Sequence, residues 1–234
     1  MRRSRRYDGL SEHASQRTLK GRFITFEGID GCGKSTQARL MAEWLKEGKR
    51  TVLETREPGG TPIGERLRHV LLNPEHEAMT PPCELLLYLA DRVQHLEETI
   101  RPALARGDVV ICDRFHDATV AYQQHGRGLD LSALEGFIRE EILATPPDCT
   151  FWLDLDVETA RRRIVERGRS GQDAMREQDR LDRAEIAFHE RVRQGYAALA
   201  AEHSGRVIPI DATGDVESIQ KEIRARLEER FDVR

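Results

Sequence analysis

The feature that most constrains this chain is an apolar, β-rich run that leads straight into a glycine-rich turn and then a helical pattern. It reads Phe23-Ile24-Thr25-Phe26-Glu27-Gly28-Ile29-Asp30-Gly31-Cys32-Gly33-Lys34-Ser35-Thr36. The spacing is G-x-x-x-x-G-K-[ST], with a strand before it and a helix after it, the setting this motif requires. Glycines carry no Cβ, so successive backbone N–H groups can curl around an anion. The following helix adds its unpaired N–H groups and the positive end of its dipole. Lys34 is spaced to reach the β- and γ-phosphates of a nucleotide, and the Ser35 hydroxyl to ligate Mg²⁺. The loop from Gly28 through Ile29, Asp30, Gly31, Cys32, Gly33, Lys34 and Ser35 to Thr36 is therefore the candidate ATP-binding segment. Cys32, at a permissive position beside a helix start, is also a candidate reactive thiol.

Bulk properties narrow the function classes. The 234 residues suffice for one α/β domain that needs no staples. Lys and Arg number 37 against 41 Asp and Glu, a net of −4, which argues against a dedicated nucleic-acid binder. No apolar run approaches the length of a membrane-spanning helix. Four scattered cysteines, Cys32, Cys83, Cys112 and Cys149, suggest neither a metal site nor a disulfide framework, and fit a reducing cytoplasm. Residues 1–20 are Arg-rich and poor in apolar side chains, and read as a disordered basic tail ahead of a single domain over 21–234.

Beyond Gly21, strand and helix patterns alternate. Strands are expected at Thr51–Thr55, Val109–Asp113, Phe151–Leu155 and Val207–Asp211, besides the one entering the glycine loop. Helices are expected at Ile63–Leu72, from about Cys83 to Arg106 with a bend at Pro102, at Ser132–Leu143, Val157–Arg167, Leu181–Ala201 and Val216–Phe231. Gln124–Gly128 reads as a loop, as does Arg56-Glu57-Pro58-Gly59-Gly60-Thr61. Five short apolar strands separated by helices imply a five-stranded parallel sheet flanked by helices. In such sheets ligands bind at the carboxyl ends of strands. Glu57, Asp113 and Arg114 all follow strand ends and should converge with the glycine loop on one cleft. Asp113 either holds Mg²⁺ or caps the next helix. Arg114 suits bidentate capture of a phosphate. The polar stretch of about 166–180 reads as a mobile basic lid whose arginines neutralise a transferring phosphoryl group.

At this point the chain resembles the thymidylate kinase family. The likeness runs from Arg22 to the end. It is carried by Glu27 to Thr36, Thr55-Arg56-Glu57-Pro58-Gly59-Gly60-Thr61 and Tyr88-Leu89-Ala90-Asp91-Arg92. It continues in Asp113-Arg114, Ala121-Tyr122-Gln123-Gln124-His125-Gly126-Arg127-Gly128, Asp179-Arg180-Leu181 and Phe188-His189-Glu190-Arg191-Val192-Arg193. The resemblance implies a P-loop kinase fold with a lid, and ATP- and Mg²⁺-dependent phosphorylation of dTMP to dTDP by a homodimer. It also implies roles. Tyr88 stands where an aromatic ring, most often Phe, stacks on thymine; Arg92 would donate to a thymine carbonyl. Arg114 would grip the dTMP phosphate, and Asp30 would lie near the sugar 3′-hydroxyl and Mg²⁺. Tyr122 would crowd the 2′ position, and Glu57, followed by Pro58, would lie near sugar and metal. Thr119 and Gln123 complete the implied acceptor set, with Ser35 and Asp113 as metal ligands. Some members carry an arginine in the glycine loop where this chain has Gly31. The catalytic charge must then come from the lid, with Arg169 and Arg180 favoured over Arg167 and Arg176. The alternatives are a kinase for another nucleoside monophosphate and a non-catalytic nucleotide-binding regulator.

Overall fold

The computed structural model describes residues 17–18, 21–169, 181 and 185–232. In chain order the elements begin with β1 (Arg17–Thr18), β2 (Phe23–Glu27), α1 (Lys34–Glu47), β3 (Val52–Arg56) and α2 (Pro62–Leu72). Next come α3 (Pro81–His95), α4 (Arg101–Arg106), β4 (Val109–Asp113), α5 (His116–Thr119), α6 (Glu135–Phe137) and β5 (Cys149–Asp154). The chain finishes with α7 (Val157–Arg169), α8 (Ile186–Glu202), β6 (Val207–Asp211), α9 (Val216–Arg230) and β7 (Phe231–Asp232).

β3-β4-β2-β5-β6 form the expected five-stranded sheet, and every pairing in it is parallel. β2 sits at the centre, so all five of its residues are buried. Alternate side chains enter opposite cores, as the period of a strand demands. Ile24, Phe26, Val109 and Ile111 join the core under α1, α8 and α9. Phe23, Val110 and Cys112 join the core under α3 and α4. β1 pairs with β7 in a separate two-residue ladder, so Arg17 and Thr18 of the expected tail lie beside the C-terminal residues. The rest of residues 1–20 lies outside the described residues.

The helices depart from expectation at several places. The long helix starts at Pro81, opens into a wide π-type turn over Leu96–Ile100 and resumes at Arg101. Pro102 has no N–H and its ring would crowd the preceding turn, so the widening relieves both conflicts. Gln124–Gly126, expected as a loop, belongs instead to a wide helical coil over Val120–Gly126. Gly126 permits that coil to press on α8: a Cβ there would lie 2.7 Å from Phe188 and 2.9 Å from Val192. α8 begins at Ile186, whereas Leu181 is a buried turn residue and residues 182–184 lie outside the described residues. Ser132–Ile142 is helical throughout, as expected, but tight over Ser132–Leu134, α-helical over Glu135–Phe137 and wide over Ile138–Ile142.

The α5 coil is anchored from below. Asp117 takes two hydrogen bonds from the Arg206 guanidinium, at 2.7 and 2.9 Å, and one from Thr150 at 3.2 Å. Burial pushes the Asp117 carboxyl up, but Arg206 outweighs it and leaves the group below its ordinary value. Removing one partner of such a pair strands the other charge in the interior. Arg206→Ala should therefore cost roughly 3 kcal/mol of stability. The check is a urea titration, in which the midpoint falls while the slope is unchanged.

Candidate active site

The glycine loop is held open by backbone geometry that only glycine tolerates. Gly28, Gly31 and Gly33 have φ of 140°, 88° and 98°. A Cβ at Gly31 would collide with the Ala160 carbonyl of α7. The loop therefore closes tightly against α7 at Gly31 and leaves no room there for a side chain. Gly33 caps α1, and Lys34 and Ser35 open that helix. The Lys34 ammonium donates to Asp30 Oδ1 at 3.1 Å. Ile29 is buried, Thr36 half-buried and Cys32 buried against Gly28. Burial pushes the Cys32 thiol up, against the pull of Lys34. It is a packing residue and not an activated nucleophile.

At the neighbouring strand end, β4 delivers Asp113 and Arg114. The Ser35 hydroxyl donates to Asp113 Oδ2, while Asp113 Oδ1 is buried with no hydrogen-bond partner. Arg114 has φ of 74°, a left-handed conformation that costs a non-glycine residue about 1 kcal/mol or more. Two backbone bonds hold it there. The Arg114 amide donates to Phe26 O at 2.9 Å, and the Phe115 amide donates to Glu27 Oε1 at 2.7 Å. The turn throws the guanidinium across the sheet edge toward the glycine loop. Its Nη2 donates to Asp30 Oδ1 and to the Tyr122 hydroxyl, both at 2.9 Å, and it lies 4.8 Å over the Tyr122 ring. The Tyr122 hydroxyl donates to Asp30 Oδ2 at 3.2 Å. Burial works against the Arg114 charge, but Asp30 outweighs it and holds the guanidinium protonated well beyond its ordinary range.

The Glu57 loop meets this cluster from β3. Glu57 accepts from Arg92 Nε at 2.7 Å and hydrogen-bonds His95 Nδ1 at 3.0 Å. Burial pushes its carboxyl up, yet Arg92 and His95 together leave it below its ordinary value. Arg92 also donates to Thr119 at 2.7 Å and to the Phe115 carbonyl at 2.9 Å, so its fork is fixed in one plane. Thr119 thus positions Arg92. Gln123 donates to Glu84 at 3.0 Å, and Arg127 secures the same carboxylate. Gly60 allows the loop to close: a Cβ there would lie 2.5 Å from His95 Nε2. Among the described residues one trio has metal-ligand proximity, Glu57, His95 and Cys112. All three are buried, and Arg92 already occupies Glu57.

Two adjoining cavities result. The smaller is lined by Pro58, Tyr88, Arg92, Thr119, Tyr122 and Gln123. The larger is lined by Lys34, Ser35 and Asp113. Asp30, Glu57 and Arg114 line both and mark the junction. All eight acceptor-site candidates thus face one cavity, and the phosphate-loop candidates Lys34 and Ser35 face the next. Arg180 and the side chain of Arg169 lie outside the described residues. Sequence reasoning missed Arg68, which lines both cavities and donates to the Pro58 carbonyl at 2.9 Å, and Leu72, Ala118 and Leu181, which line the smaller one. It also missed Glu27 as a site residue, although a carboxylate inside an apolar strand run was a visible signal.

The thymidylate kinase family model matches residues 26–223. That span takes in both cavities and most of the chain. The chain belongs to the thymidylate kinase family. A curated thymidylate kinase from Gloeobacter violaceus is 47% identical over 210 residues, which cover 88% of this chain and 94% of that protein. One from Trichlorobacter lovleyi is 49% identical, covering 82% of this chain and 89% of the relative. The crystal structure of thymidylate kinase from Ehrlichia chaffeensis superposes with a TM-score of 0.69 at 35% identity, over 88% of this chain and 98% of that one. The fold of this thymidylate kinase family member is accordingly the P-loop kinase fold.

Glu27 gives the site a measurable pH signature. Burial, reinforced by the Asp117 charge, pushes its carboxyl from 4.5 up to about 8. The folded chain therefore keeps a proton that the unfolded chain releases above pH of about 4.5. The Glu27 contribution to stability is full below that pH and is lost as pH rises toward about 8. Glu27→Gln, which mimics the protonated form, should flatten this decline. Denaturation at pH 5 and pH 8 checks it: the variant gains on the wild type as pH rises, and a constant difference contradicts the assignment.

Proposed function

We propose that this chain transfers the γ-phosphoryl group of ATP to dTMP, giving ADP and dTDP. The observation that carries the reading is the junction of the two cavities at Asp30, Glu57 and Arg114. An acceptor phosphate on Arg114 would face the phosphate loop across a single carboxylate, Asp30. The nucleoside would fill the smaller cavity, with the base against the Tyr88 ring and within reach of Arg92, and the sugar against Tyr122.

The residues fit a hard cation. Ser35 and the orphaned Asp113 Oδ1 offer only oxygen, which suits Mg²⁺. Bound there, Mg²⁺ would neutralise phosphate charge. The chain's own residues do the rest. The Gly28–Thr36 loop would orient the ATP phosphates through backbone N–H groups, and Lys34 would turn from Asp30 to the β- and γ-oxygens. Arg114 would hold the dTMP phosphate in line. The acceptor oxygen is already anionic, so its attack on the γ-phosphorus releases ADP without a general base. Catalysis is then positioning and charge neutralisation. Arg169 and Arg180 remain the lid arginines of this proposal, and residues 21–234 its single domain, with the lid at about 166–180. A cytoplasmic homodimer using Mg²⁺-ATP extends the same family reading. In keeping with it, all four cysteines are free and no described helix is long and apolar enough to cross a membrane.

The test is ADP release with Mg²⁺-ATP against dTMP, dUMP, dCMP, AMP and GMP. dTMP should be strongly preferred. dUMP should remain a poor substrate, because the thymine methyl contributes only ~1–3 kcal/mol. dCMP presents a donor where Arg92 needs an acceptor, and should be rejected more strongly. Preference for another monophosphate, or ATP binding with no turnover, contradicts the proposal. Lys34→Ala should lower kcat by about 100-fold or more, as loss of one preorganised charge contact does.

A further inference from the structure

We infer that Tyr196 is a positioning residue for the acceptor phosphate, tethered by Glu27 and acting through Arg114. The inference rests on the reading of Arg114 as the phosphate-gripping residue. Tyr196 lies on α8, remote in sequence from every motif that lines the cavities, and lines neither of them. Its side chain nonetheless reaches the centre of the site. The Arg114 Nη1 donates to the Tyr196 hydroxyl at 3.3 Å, and that hydroxyl donates to Glu27 Oε2 at 2.7 Å. Both hydrogen-bonding roles of the hydroxyl are thereby used. The ring is fixed as well: it stacks on Trp152 at 6.4 Å and 19°, and meets Tyr122 edge-on at 6.4 Å.

The arrangement solves a problem specific to Arg114. Its two Nη2 bonds go to Asp30 and the Tyr122 hydroxyl, on the side where the acceptor would bind. An arriving phosphate would compete for these donors, so they cannot define the guanidinium plane during exchange. The Tyr196 hydroxyl approaches the other terminal nitrogen, and the residue as a whole is buried, at 1% exposure, so it would stay in place whether the site is filled or empty. Glu27 serves both ends of the device. One oxygen holds the Phe115 amide, which fixes the left-handed turn at Arg114, and the other holds Tyr196, which fixes the guanidinium. One buried carboxyl thus sets the backbone and the head group of the same arginine. The lack of a charged group on Tyr196 also leaves the guanidinium its full charge for phosphate.

Tyr196→Phe tests this. It removes the hydroxyl and keeps the ring that stacks on Trp152. The readout is equilibrium affinity for dTMP and for thymidine, which lacks the phosphate, with steady-state KM for ATP and melting temperature in parallel. Loss of one charge-assisted hydrogen bond corresponds to a weakening of about tenfold. That loss is expected for dTMP, with thymidine affinity and ATP KM unchanged. Glu27→Asp draws the carboxyl group back by one methylene from both the hydroxyl and the Phe115 amide, and should weaken dTMP at least as much, again with thymidine unchanged. It supplies the answer if Tyr196→Phe does not fold. Arg114→Lys is the reference: it should weaken dTMP but not thymidine, and in its background Tyr196→Phe should add little. Equal weakening of dTMP and thymidine, no weakening of dTMP, or full additivity with Arg114→Lys overturns the inference. If Arg114→Lys itself leaves dTMP affinity unchanged, the acceptor-site reading falls instead.

Discussion

The site depends on one ion pair, between Asp30 of the glycine loop and Arg114 at the end of β4, 2.9 Å apart. It ties together two strand ends that the parallel sheet brings side by side but does not itself connect. Asp30 also binds Lys34 and the Tyr122 hydroxyl. A single carboxylate therefore sets the loop lysine, the strand-end arginine and the coil tyrosine against one another. In the absence of phosphates these two cations would repel, and the shared carboxylate keeps both pointed at the junction. On the proposed reading the arrangement is preorganised for anions: a phosphate entering the junction would replace Asp30 as partner without rebuilding the surroundings.

Around this pair the fold supplies stiff supports. β2 is buried throughout, so the loop leaves the sheet from its most rigid strand. Arg92 is locked by Glu57, Thr119 and the Phe115 carbonyl, which joins the β3 loop, the α3 helix and the α5 coil in one hydrogen-bonded knot. Asp117 and Arg206 pin the start of that coil from the far side. Breaking any of these contacts would leave a buried charge or donor without a partner, which costs more than the intact bond contributes.

Much of this was legible in the residues, for definable reasons. The inner strands β2, β4 and β5 stood out because parallel strands buried on both faces read as continuous apolar runs, whereas the edge strands β3 and β6 are only partly buried. The glycine loop stood out because a backbone anion site needs glycine at fixed spacing. Tyr88, Arg92, Tyr122 and Gln123 came from resemblance, and the structure gathers them around one cavity with Glu57 and Arg114. What sequence could not show depends on packing. The wide turns at Leu96–Ile100 and Val120–Gly126 follow no residue period, since they arise where Pro102 or the contact of Gly126 with α8 forces the helix open. Arg68 and Tyr196 sit on helices whose rotation toward the site is set by the whole core. The left-handed turn at Arg114 is likewise invisible in a residue type that does not favour it.

The most direct test of the account is a crystal structure with dTMP bound. The account predicts the phosphate on the Arg114 guanidinium, displacing Asp30 Oδ1, with the base against Tyr88 and its carbonyl facing Arg92. A phosphate seated on the Gly28–Thr36 loop, or a base outside the cavity lined by Tyr88, Arg92 and Tyr122, would contradict it.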